Sequence, residues 1–448
     1  MKIKQIVAAV FLLVLISSGI QAAELQKLTL QEAISQGLMQ NNQVKAAGFQ
    51  AEAAAAAANA ASFHYLPAIN FEESFNRSNL PVNTFMMKLN QGRFTSQDFD
   101  PARLNNPSPI SDFNTSVTVE QPLFVPQAWA AGSAARRGAE RQQAVTEQTR
   151  QQTAFHIFQL YLNVQKSHAR LLAAEKALEE ATESKRQALV RTKAGLGLVS
   201  DELRADTHLA AMEQQLISAD NQLVLSRMQL AMIIGGKSGE EVDVATPVQL
   251  ADQQISLEEL KSLAADKRSD LLAVEKGEEQ AKAMLWRSRS AFLPNVGAVG
   301  RWQMNHHNTA FGRDRDSWMV GVALRWNIFD GLRSWHNNKE AKAVAAAAGE
   351  LATQSRKEVS YQVHEAWLYR QEAIKRHEVA SKAVAAAEEA TRLLAKRFDN
   401  ALATMVELLD ARTAVNQARA DLVDSEAALN QATGQLYHAA GIFLKEVQ

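Results

Sequence analysis

Residues 205–233 read ADTHLAAMEQQLISADNQLVLSRMQLAMI, and apolar or small side chains recur along them at alternating spacings of four and three. The seam consists of Ala205, Leu209, Met212, Leu216, Ala219, Leu223, Ser226, Leu230 and Ile233. This heptad spacing predicts a helix that packs along its length against a neighbouring helix, and the small seam residues predict close packing. The same spacing returns 206 residues later, from Ala411 to Ala439.

The repeated seam is one part of a duplication that covers most of the chain. Leu28-Thr-Leu-Gln-Glu32 returns as Ile255-Ser-Leu-Glu-Glu259, a displacement of 227 residues, whereas matches further along are displaced by 206. The difference falls in one connection, which spans residues 76–112 in the first half and 305–316 in the second. We therefore expect a first structural repeat over residues 23–235, a connector over 236–254, a second repeat over 255–441 and a tail over 442–448.

Each repeat also contains two stretches in which apolar and polar residues alternate. A period of two predicts β-strands with one apolar and one polar face. The expected strands lie at about residues 66–76, 113–124, 294–305 and 317–329. Residues 127–246 and 295–448 contain no proline and are rich in helix formers, which permits very long helices. Each repeat therefore reads helix, strand, strand, long helix, helix, and the fold class is mainly α with a small β part.

The composition excludes several classes of protein. A formal net charge of −1 provides no basic field, so nucleic acid is not an expected partner. The absence of cysteine excludes a disulfide framework, thiol catalysis, thiolate metal sites and an acylated N-terminal cysteine. The apolar run Ile6–Ile16 follows two lysines and precedes small residues, a pattern typical of an export signal over residues 1–22. That run is too short to cross a bilayer as a helix.

Strands with one apolar and one polar face are typical of a transmembrane β-barrel. Four strands cannot close a barrel, and an open sheet edge cannot lie in lipid, so the chain must oligomerise if its sheet is in a membrane. Trp302, Trp318 and Trp326 are suited to an aromatic belt at the membrane interface. A small soluble sheet with an aromatic core is the alternative that the strand pattern alone leaves open.

The paired motifs resemble the TolC family of outer-membrane efflux proteins over nearly all of residues 28–441. They are Gln121–Phe124 and Trp326–Gly331 after the strands, and Lys193–Asp201 and Arg397–Ala411 between the helices. The resemblance implies a homotrimer whose protomers form a twelve-stranded outer-membrane barrel on a periplasmic α-helical coiled-coil barrel. It also implies docking to a periplasmic membrane-fusion adaptor and to an inner-membrane pump, driven by protons or ATP, with export of drugs, metals, peptides or proteins.

The resemblance places the periplasmic tips at the turns between the long and short helices. The residues expected to contact the adaptor are Gly195, Leu196, Gly197, Leu198, Val199, Ser200, Ala401, Leu402, Ala403 and Thr404. Ser200 is expected to be the N-cap of the first short helix. Thr404 and Glu407 have the spacing of a capping box at the second.

Three carboxylates near the tips are the candidate pore-entrance residues. Glu407 and Asp410 lie three apart on one helix face, and the resemblance implies that they form a cation-attracting ring. A solvated helix start, in which the glutamate only caps, is the simpler interpretation. Asp201 matches a family position that helps to close the entrance by bonding to a tyrosine and an arginine. Those partners align with Phe398 and Ala403, so closure here must use other contacts.

The remaining candidates are weaker. Glu72, Glu120, Arg301 and Arg325 are expected in the barrel lumen, although cross-strand pairing would explain them equally well. His306 and His307 have no acidic or cysteine ligand close in sequence, so no metal site is expected there. The sequence has no phosphate-binding loop and no nucleophile elbow, and we expect neither catalysis nor a cofactor. The leading alternative to a channel is a soluble periplasmic coiled-coil scaffold or adaptor, and a periplasmic hydrolase is a third possibility.

Overall fold

The computed structural model describes residues 25–195, 197–248, 250, 255–400 and 402–447. The expected export signal, residues 1–22, lies outside this range, as do Leu196 and Ala401 and part of the connector. The described chain forms two compact units. The first contains the described residues up to Ala46, with Glu147–Arg268 and residues from Glu358 onward, and the second contains Ala47–Thr146 and Ser269–Lys357. Each unit takes residues from both sequence repeats.

The helices have the bounds that a duplicated chain requires. In the first repeat they are α1 (Leu30–Gln40), α2 (Asn42–Ser62), α5 (Pro126–Lys193) and α6 (Val199–Ile233). Their counterparts in the second repeat are α7 (Leu257–Lys267), α8 (Ser269–Ser290), α9 (Arg333–Asp399) and α10 (Met405–Ala439). A final short helix is α11 (Phe443–Val447). The helices of the second repeat start 227 or 206 residues after their counterparts in the first, to within one residue. The predicted duplication is therefore confirmed.

The helix starts of the two repeats share one chemistry. Thr29 caps α1 in a capping box with Glu32, and the Ser256 side chain accepts a hydrogen bond from the Glu259 backbone N–H at the start of α7. Such caps satisfy backbone N–H groups that have no partner within the helix. Among the described residues, no helix combines the length and the apolar character that crossing a membrane requires.

The second unit contains a four-stranded antiparallel sheet in the order β2, β3, β5, β6. The strands are β2 (Ala68–Ser78), β3 (Ile110–Phe124), β5 (Asn295–His306) and β6 (Arg315–Arg325). The ladder pairs Phe71 with Val117, Val117 with Trp302 and Trp302 with Trp318, so the alternating apolar residues share one face.

The last strand is shorter than the sequence pattern suggested. It was expected to continue to residue 329, but it ends at Arg325. Beyond it the indole N–H of Trp326 donates to the carbonyl oxygen of Phe292 at 3.0 Å, so the chain is held by a side-chain contact and no longer by the ladder. The alternation of apolar and polar residues therefore persists beyond the strand itself.

The long connection between β2 and β3 contains helices that the sequence pattern did not predict. These are α3 (Pro81–Asn90) and α4 (Pro101–Asn105), separated by a short 3₁₀ turn. Gln91, 1% exposed, donates through Nε2 to the Ser111 carbonyl oxygen and to Asp112 Oδ1, both at 2.8 Å. Asn305 donates to the other Asp112 oxygen at 2.9 Å. This buried network fastens the connection to β3 and β5.

The first unit has its core where α1, α5, α6 and α10 meet. Its largest fully buried side chains are Tyr161, Phe158, Ile157, Leu230 and Ile234. The seam of α6 is buried at Ala205, Leu223, Ser226 and Leu230 and half-buried between Leu209 and Ala219. A small parallel sheet pairs β1 (Gln26–Leu28) with β4 (Val242–Val244), and the Tyr161 hydroxyl lies 3.1 Å from the Leu28 carbonyl oxygen and 3.0 Å from that of Thr246.

Candidate functional site: the turns between the long and short helices

The first turn joins α5 to α6 and depends on two glycines. Gly195 has φ +70°, a left-handed conformation that side chains with a Cβ disfavour. A Cβ on Gly197 would lie 3.2 Å from both Cβ of Arg191 and the backbone nitrogen of Thr192, so this glycine allows the turn to pack onto the end of α5. Leu198 and Val199 follow with 67% and 65% of their surface exposed.

The expected N-cap at Ser200 is wrong. The helix α6 begins at Val199, and its N-cap is Leu198, which has no capping side chain. The Leu198 carbonyl oxygen accepts hydrogen bonds from the Asp201 backbone N–H at 3.0 Å and from the Thr192 hydroxyl at 3.3 Å. Because these bonds fix the chain at Leu198, the helix starts before Ser200 can cap it. Asp201 and Glu202 lie in the first turn, where acidic residues are favoured.

The second turn joins α9 to α10 and has the predicted capping box. Thr404 is the N-cap of α10, and its backbone N–H and hydroxyl donate to Glu407 Oε2 at 2.7 and 2.9 Å. The Glu407 backbone N–H donates to the Thr404 hydroxyl at 3.3 Å. Leu402 is 67% exposed, whereas Ala403 packs against a buried cluster. The two turns therefore begin their helices in different ways.

The candidate entrance carboxylates lie just beyond these turns. Glu407 and Asp410 are both exposed, and Asp201 is half-exposed. The repeat displacement makes Asp201 the counterpart of Glu407, whereas the counterpart of Asp410 is a cation, Arg204. At these two matched positions the second turn therefore carries two carboxylates, whereas the first carries a carboxylate and an arginine.

Glu407 is held in its charged form. Hydrogen bonds from the backbone N–H and then the hydroxyl of Thr404 hold the pKa of Glu407 below its ordinary value. Donors that bond to a carboxylate favour the ionised state. The capping box thus fixes both the position and the charge of this side chain, and the capping and entrance interpretations of Glu407 are compatible.

A contact that the sequence did not reveal links the two turns. Arg191, near the end of α5, donates through Nη1 to the Phe398 carbonyl oxygen at 2.6 Å. Its guanidinium carbon lies 4.3 Å from the centre of the Phe398 ring, a cation–π geometry. Phe398 has no side-chain hydroxyl, but its carbonyl oxygen and its ring both contact Arg191. A detectable signal existed, because the repeat displacement matches Arg191 with Arg397, which donates to the Leu402 carbonyl oxygen at 3.2 Å.

The turns rest on a compact apolar cluster. Its buried members are Ala188, Ala205, Phe398, Met405, Leu408 and Leu409. Beside it lies a groove of about 400 Å³ that is lined by both turns, with Arg191, Arg204 and Asp201 as its charged residues. Met405 and Val406, the first two residues of α10, form an apolar wall of this groove.

Further along the helices, two arginines tie α10 to its neighbours. Arg412 donates to the Glu180 carbonyl oxygen and to the Ser184 hydroxyl, which is fully buried. Arg419 lies 3.0 Å from Glu180 and 2.8 Å from Glu388, carboxylates on α5 and α9. These contacts hold the start of α10 in register with both long helices.

The four charged residues expected in a lumen share one face of the sheet. The ladder pairs Glu72 with Ser116, Glu120 with Val299 and Asn295 with Arg325, all on the face opposite Phe71 and Trp302. Arg301 donates to the Ser116 hydroxyl at 3.2 Å. No ion pair joins any two of the four within the described chain, and the cross-strand contact of Arg301 is with Ser116.

The expectation that His306 and His307 lack an acidic neighbour is wrong. Asp314 returns across the hairpin, with its carboxylate 2.7 Å from His307 Nδ1 and 3.4 Å from His306 Nε2. However, His306 Nδ1 accepts the backbone N–H groups of Asn308 and Thr309, at 3.1 and 2.9 Å. A neutral ring so arranged carries its proton on Nε2 and has no lone pair there for a metal. The ligand atoms of the three residues lie within 4.8 Å of one another, but in this tautomer His306 has no free lone pair to add to the set.

These features define a class of protein. A duplicated chain with an amphipathic four-stranded sheet, very long seam-forming helices and turns that carry exposed apolar and acidic residues is typical of a channel with a helical extension. The family model described as outer membrane efflux protein matches residues 33–236 and 260–442. The chain therefore belongs to the outer membrane efflux protein family.

Solved structures agree in fold. A membrane protein from Pseudomonas aeruginosa is 18% identical, with a TM-score of 0.81 over 92% of this chain and 93% of that one. The outer membrane protein VceC from Vibrio cholerae is 18% identical, with a TM-score of 0.80 over 92% and 96%. The CmeC outer membrane channel of Campylobacter jejuni is 17% identical, with a TM-score of 0.79 over 92% and 86%. A comparison with curated protein sequences found no significant match.

Family membership confirms the predicted class, function and location. The chain is an outer-membrane efflux channel with a periplasmic extension, and members of its family form trimers in tripartite systems. The alternatives of a soluble coiled-coil scaffold and of a periplasmic hydrolase are therefore wrong.

Proposed function

We propose that three copies of this chain form a passive exit duct whose periplasmic entrance selects for cations through Glu407 and Asp410. The observation that carries the proposal is the capping box at Thr404, which holds an ionised Glu407 at the exposed start of α10. Asp410 lies one turn further on the same helix and is also exposed. A trimer would repeat this pair around the axis, and rings of carboxylates attract cations.

The charge balance at the turns supports this proposal. Arg204 offsets Asp201 at the first turn, whereas Asp410 holds the matching position at the second turn, where Arg397 is the cation that acts on Glu407. Excess negative charge would therefore collect where the second turns converge. In a narrow aqueous constriction, nearby carboxylates raise the local cation concentration, and salt weakens the effect.

The exposed apolar residues of the turns support docking to a periplasmic adaptor. Leu198, Val199 and Leu402 are each about two-thirds exposed, with fractions of 67%, 65% and 67%. Exposed apolar side chains at turns between helices are suited to a helical partner. We infer that an adaptor covers them and that an inner-membrane pump supplies the energy, because the chain has no nucleotide-binding motif.

Single-channel recording in planar bilayers tests the entrance proposal. Glu407→Gln with Asp410→Asn removes both charges and keeps their size, so cation selectivity and block by divalent cations should both fall. Asp421→Asn, further along the same helix, is the matched control and should change little. Unchanged selectivity in the double variant would refute the carboxylate ring.

Adaptor docking has a separate test. Leu198→Glu with Leu402→Glu should abolish co-purification of the adaptor and preserve the heat-sensitive trimer on gels, because the turns lie outside the sheet. Normal co-purification would show that the adaptor binds elsewhere.

A further inference from the structure

The two outer strands of the sheet have unpaired backbone edges. In the order β2, β3, β5, β6, the free edges belong to β2 and β6. Unpaired N–H and C=O groups are too costly in a bilayer, so each edge must meet another strand. In the trimer of the proposed function, on which this inference rests, β2 of one protomer meets β6 of the next.

The faces of the two edge strands limit how they can pair. On β2 the apolar face carries Ile69, Phe71 and Phe75. It also carries two charged residues, Glu73 and Arg77. On β6 the same face carries Asp316, Trp318, Val320, Val322 and Leu324. A shift by one residue would exchange the two faces of one strand, so only registers that differ by two residues are allowed.

We propose that the barrel closes in the register that pairs Arg77 with Asp316 and Phe75 with Trp318 of the next protomer. The ends then match as well, because Ala68 meets Arg325 and Ser78 meets Arg315. Both strands have 11 residues, and this register leaves none of them unpaired.

Charge complementarity favours this register. Arg77 is exposed and forms no ion pair within the described chain. Asp316 Oδ1 lies 2.9 Å from Arg313, whose side chain is 62% exposed and can give way to a cross-strand partner, and Asp316 Oδ2 accepts a hydrogen bond from the Trp302 indole N–H at 3.4 Å. The apolar pairs also match, since Phe71 meets Val322 and Ile69 meets Leu324. Opposite charges and aromatic pairs directly across strands stabilise a sheet.

The neighbouring registers lose these pairs. A shift of two residues one way places Arg77 opposite Trp318 and leaves Asp316 beyond the end of β2. A shift of two the other way places Asp316 opposite Phe75, which sets a carboxylate against an aromatic ring in the membrane. It also places Arg77 opposite Asp314, which lies outside β6 and already pairs with His307 at 2.7 Å.

The stagger of the sheet is compatible with the proposed closure. Across the sheet, Glu73 at the middle of β2 lies in line with Thr115, Met304 and Asp316. Asp316 comes four residues before Val320, the middle of β6. In the proposed register the same line continues to Arg77 of the neighbouring protomer, so the strand register shifts by about four residues per protomer. Around a twelve-stranded barrel this corresponds to a strand tilt of about 35°, within the usual range for outer-membrane barrels.

Cysteine cross-linking in native membranes tests the register, and the chain has no cysteine of its own. Phe75→Cys with Trp318→Cys should link protomers on oxidation, and much faster than Phe75→Cys with Val320→Cys or with Asp316→Cys. Ser74→Cys with Met319→Cys should likewise link faster than Ser74→Cys with Gly321→Cys or with Ser317→Cys. The two sets are needed because close and wide pairs alternate along antiparallel strands, so one set always samples the closer pairs.

A charge exchange gives a second readout. Arg77→Asp should lower the temperature at which the trimer dissociates in detergent, and adding Asp316→Arg should restore it. Faster linking by either shifted pair, or no recovery in the exchange variant, would overturn the register. Absence of any linkage together with absence of a heat-sensitive wild-type trimer would instead overturn the proposed trimer.

Discussion

The Arg191 guanidinium lies 4.3 Å from the centre of the Phe398 ring and donates at 2.6 Å to the carbonyl oxygen of the same residue. One side chain near the end of α5 thus holds both the ring and the backbone at the end of α9. The contact fixes the two turns relative to each other within the protomer. It takes the place of the side-chain hydrogen bond that Phe398 cannot make.

We expect Arg191→Ala to loosen both turns by about 2 kcal/mol, because a charge-assisted hydrogen bond and a cation–π contact are lost together. Hydrogen exchange at residues 192–200 and 398–404 should accelerate. Arg191→Lys keeps the charge but not the planar fork, so it should restore only part of the protection. Arg392→Ala, which removes an exposed ion pair with Glu389, is the control and should have little effect. Equal protection in Arg191→Ala and wild type would contradict this role.

The start of α10 should depend on Thr404. Thr404→Ala removes the cap of that helix and should cost about 1 kcal/mol, seen as faster amide exchange over Met405–Leu409. Thr404→Ser keeps the hydroxyl and should behave like the wild type. Ser200→Ala is the matched control at the first turn, where the serine is not the cap, and it should change little. Equal effects of the two alanine variants would show that the capping box is not needed.

The sequence predicted those features of the fold that depend on long periodic patterns. The displacement of 206 residues maps Val199–Ile233 onto Met405–Ala439, and the two helices have these same bounds. The alternation of apolar and polar residues located the four main strands. It extended β6 too far, because residues Trp326–Phe329 continue this alternation but lie beyond the last residue of the strand, Arg325. The helices α3 and α4 were missed because each is too short to show a helical period.

The candidate site was only partly predictable for a related reason. Thr404 and Glu407 are three residues apart, so a local pattern revealed their capping box. Arg191 and Phe398 are 207 residues apart, and no local pattern joins them. Asp314 reaches His306 and His307 only because the hairpin turns back on itself. Contacts formed by the folded chain therefore required the structure.

Cation selectivity at the entrance should persist into acid. The pKa of Glu407 is lowered by the hydrogen bonds from Thr404, so this carboxylate stays ionised below the pH at which an ordinary glutamate is protonated. Because the folded pKa is depressed, the stabilisation of the helix start is fully present above the ordinary pKa and is lost as the pH falls through the lowered one. Thr404→Val removes one of the donors and should shift the loss of selectivity to higher pH. Recordings between about pH 3 and 6 check this, and superimposable profiles would contradict it.

The left-handed residue of the first turn gives a graded prediction. Gly195 has φ +70° and no neighbouring atom within 4 Å of an added Cβ, so backbone conformation alone sets the cost of substitution. Gly195→Val should destabilise the turn by about 1–2 kcal/mol, and Gly195→Asn by less, because asparagine tolerates this region. Protease cleavage at the turn measures the order, and an asparagine variant that is cleaved faster than the valine variant would refute the conformational explanation.

Tyr161 should fasten the small parallel sheet to α5. Its hydroxyl is buried between the carbonyl oxygens of Leu28 and Thr246, at 3.1 and 3.0 Å, and it can donate to only one of them at a time. The Leu28 carbonyl oxygen also accepts the Ala245 backbone N–H at 2.8 Å, and that of Thr246 also accepts from Gln165, so Tyr161→Phe removes one of two donors and should cost about 1 kcal/mol. Exchange at the amides of Gln26–Leu28 and Val242–Val244 should accelerate while that of the α6 core stays slow. Tyr369→Phe removes a hydroxyl from a side chain that is 58% exposed and should change neither. Equal exchange in the two variants would mean that the ring alone, packed in the core, holds the sheet in place.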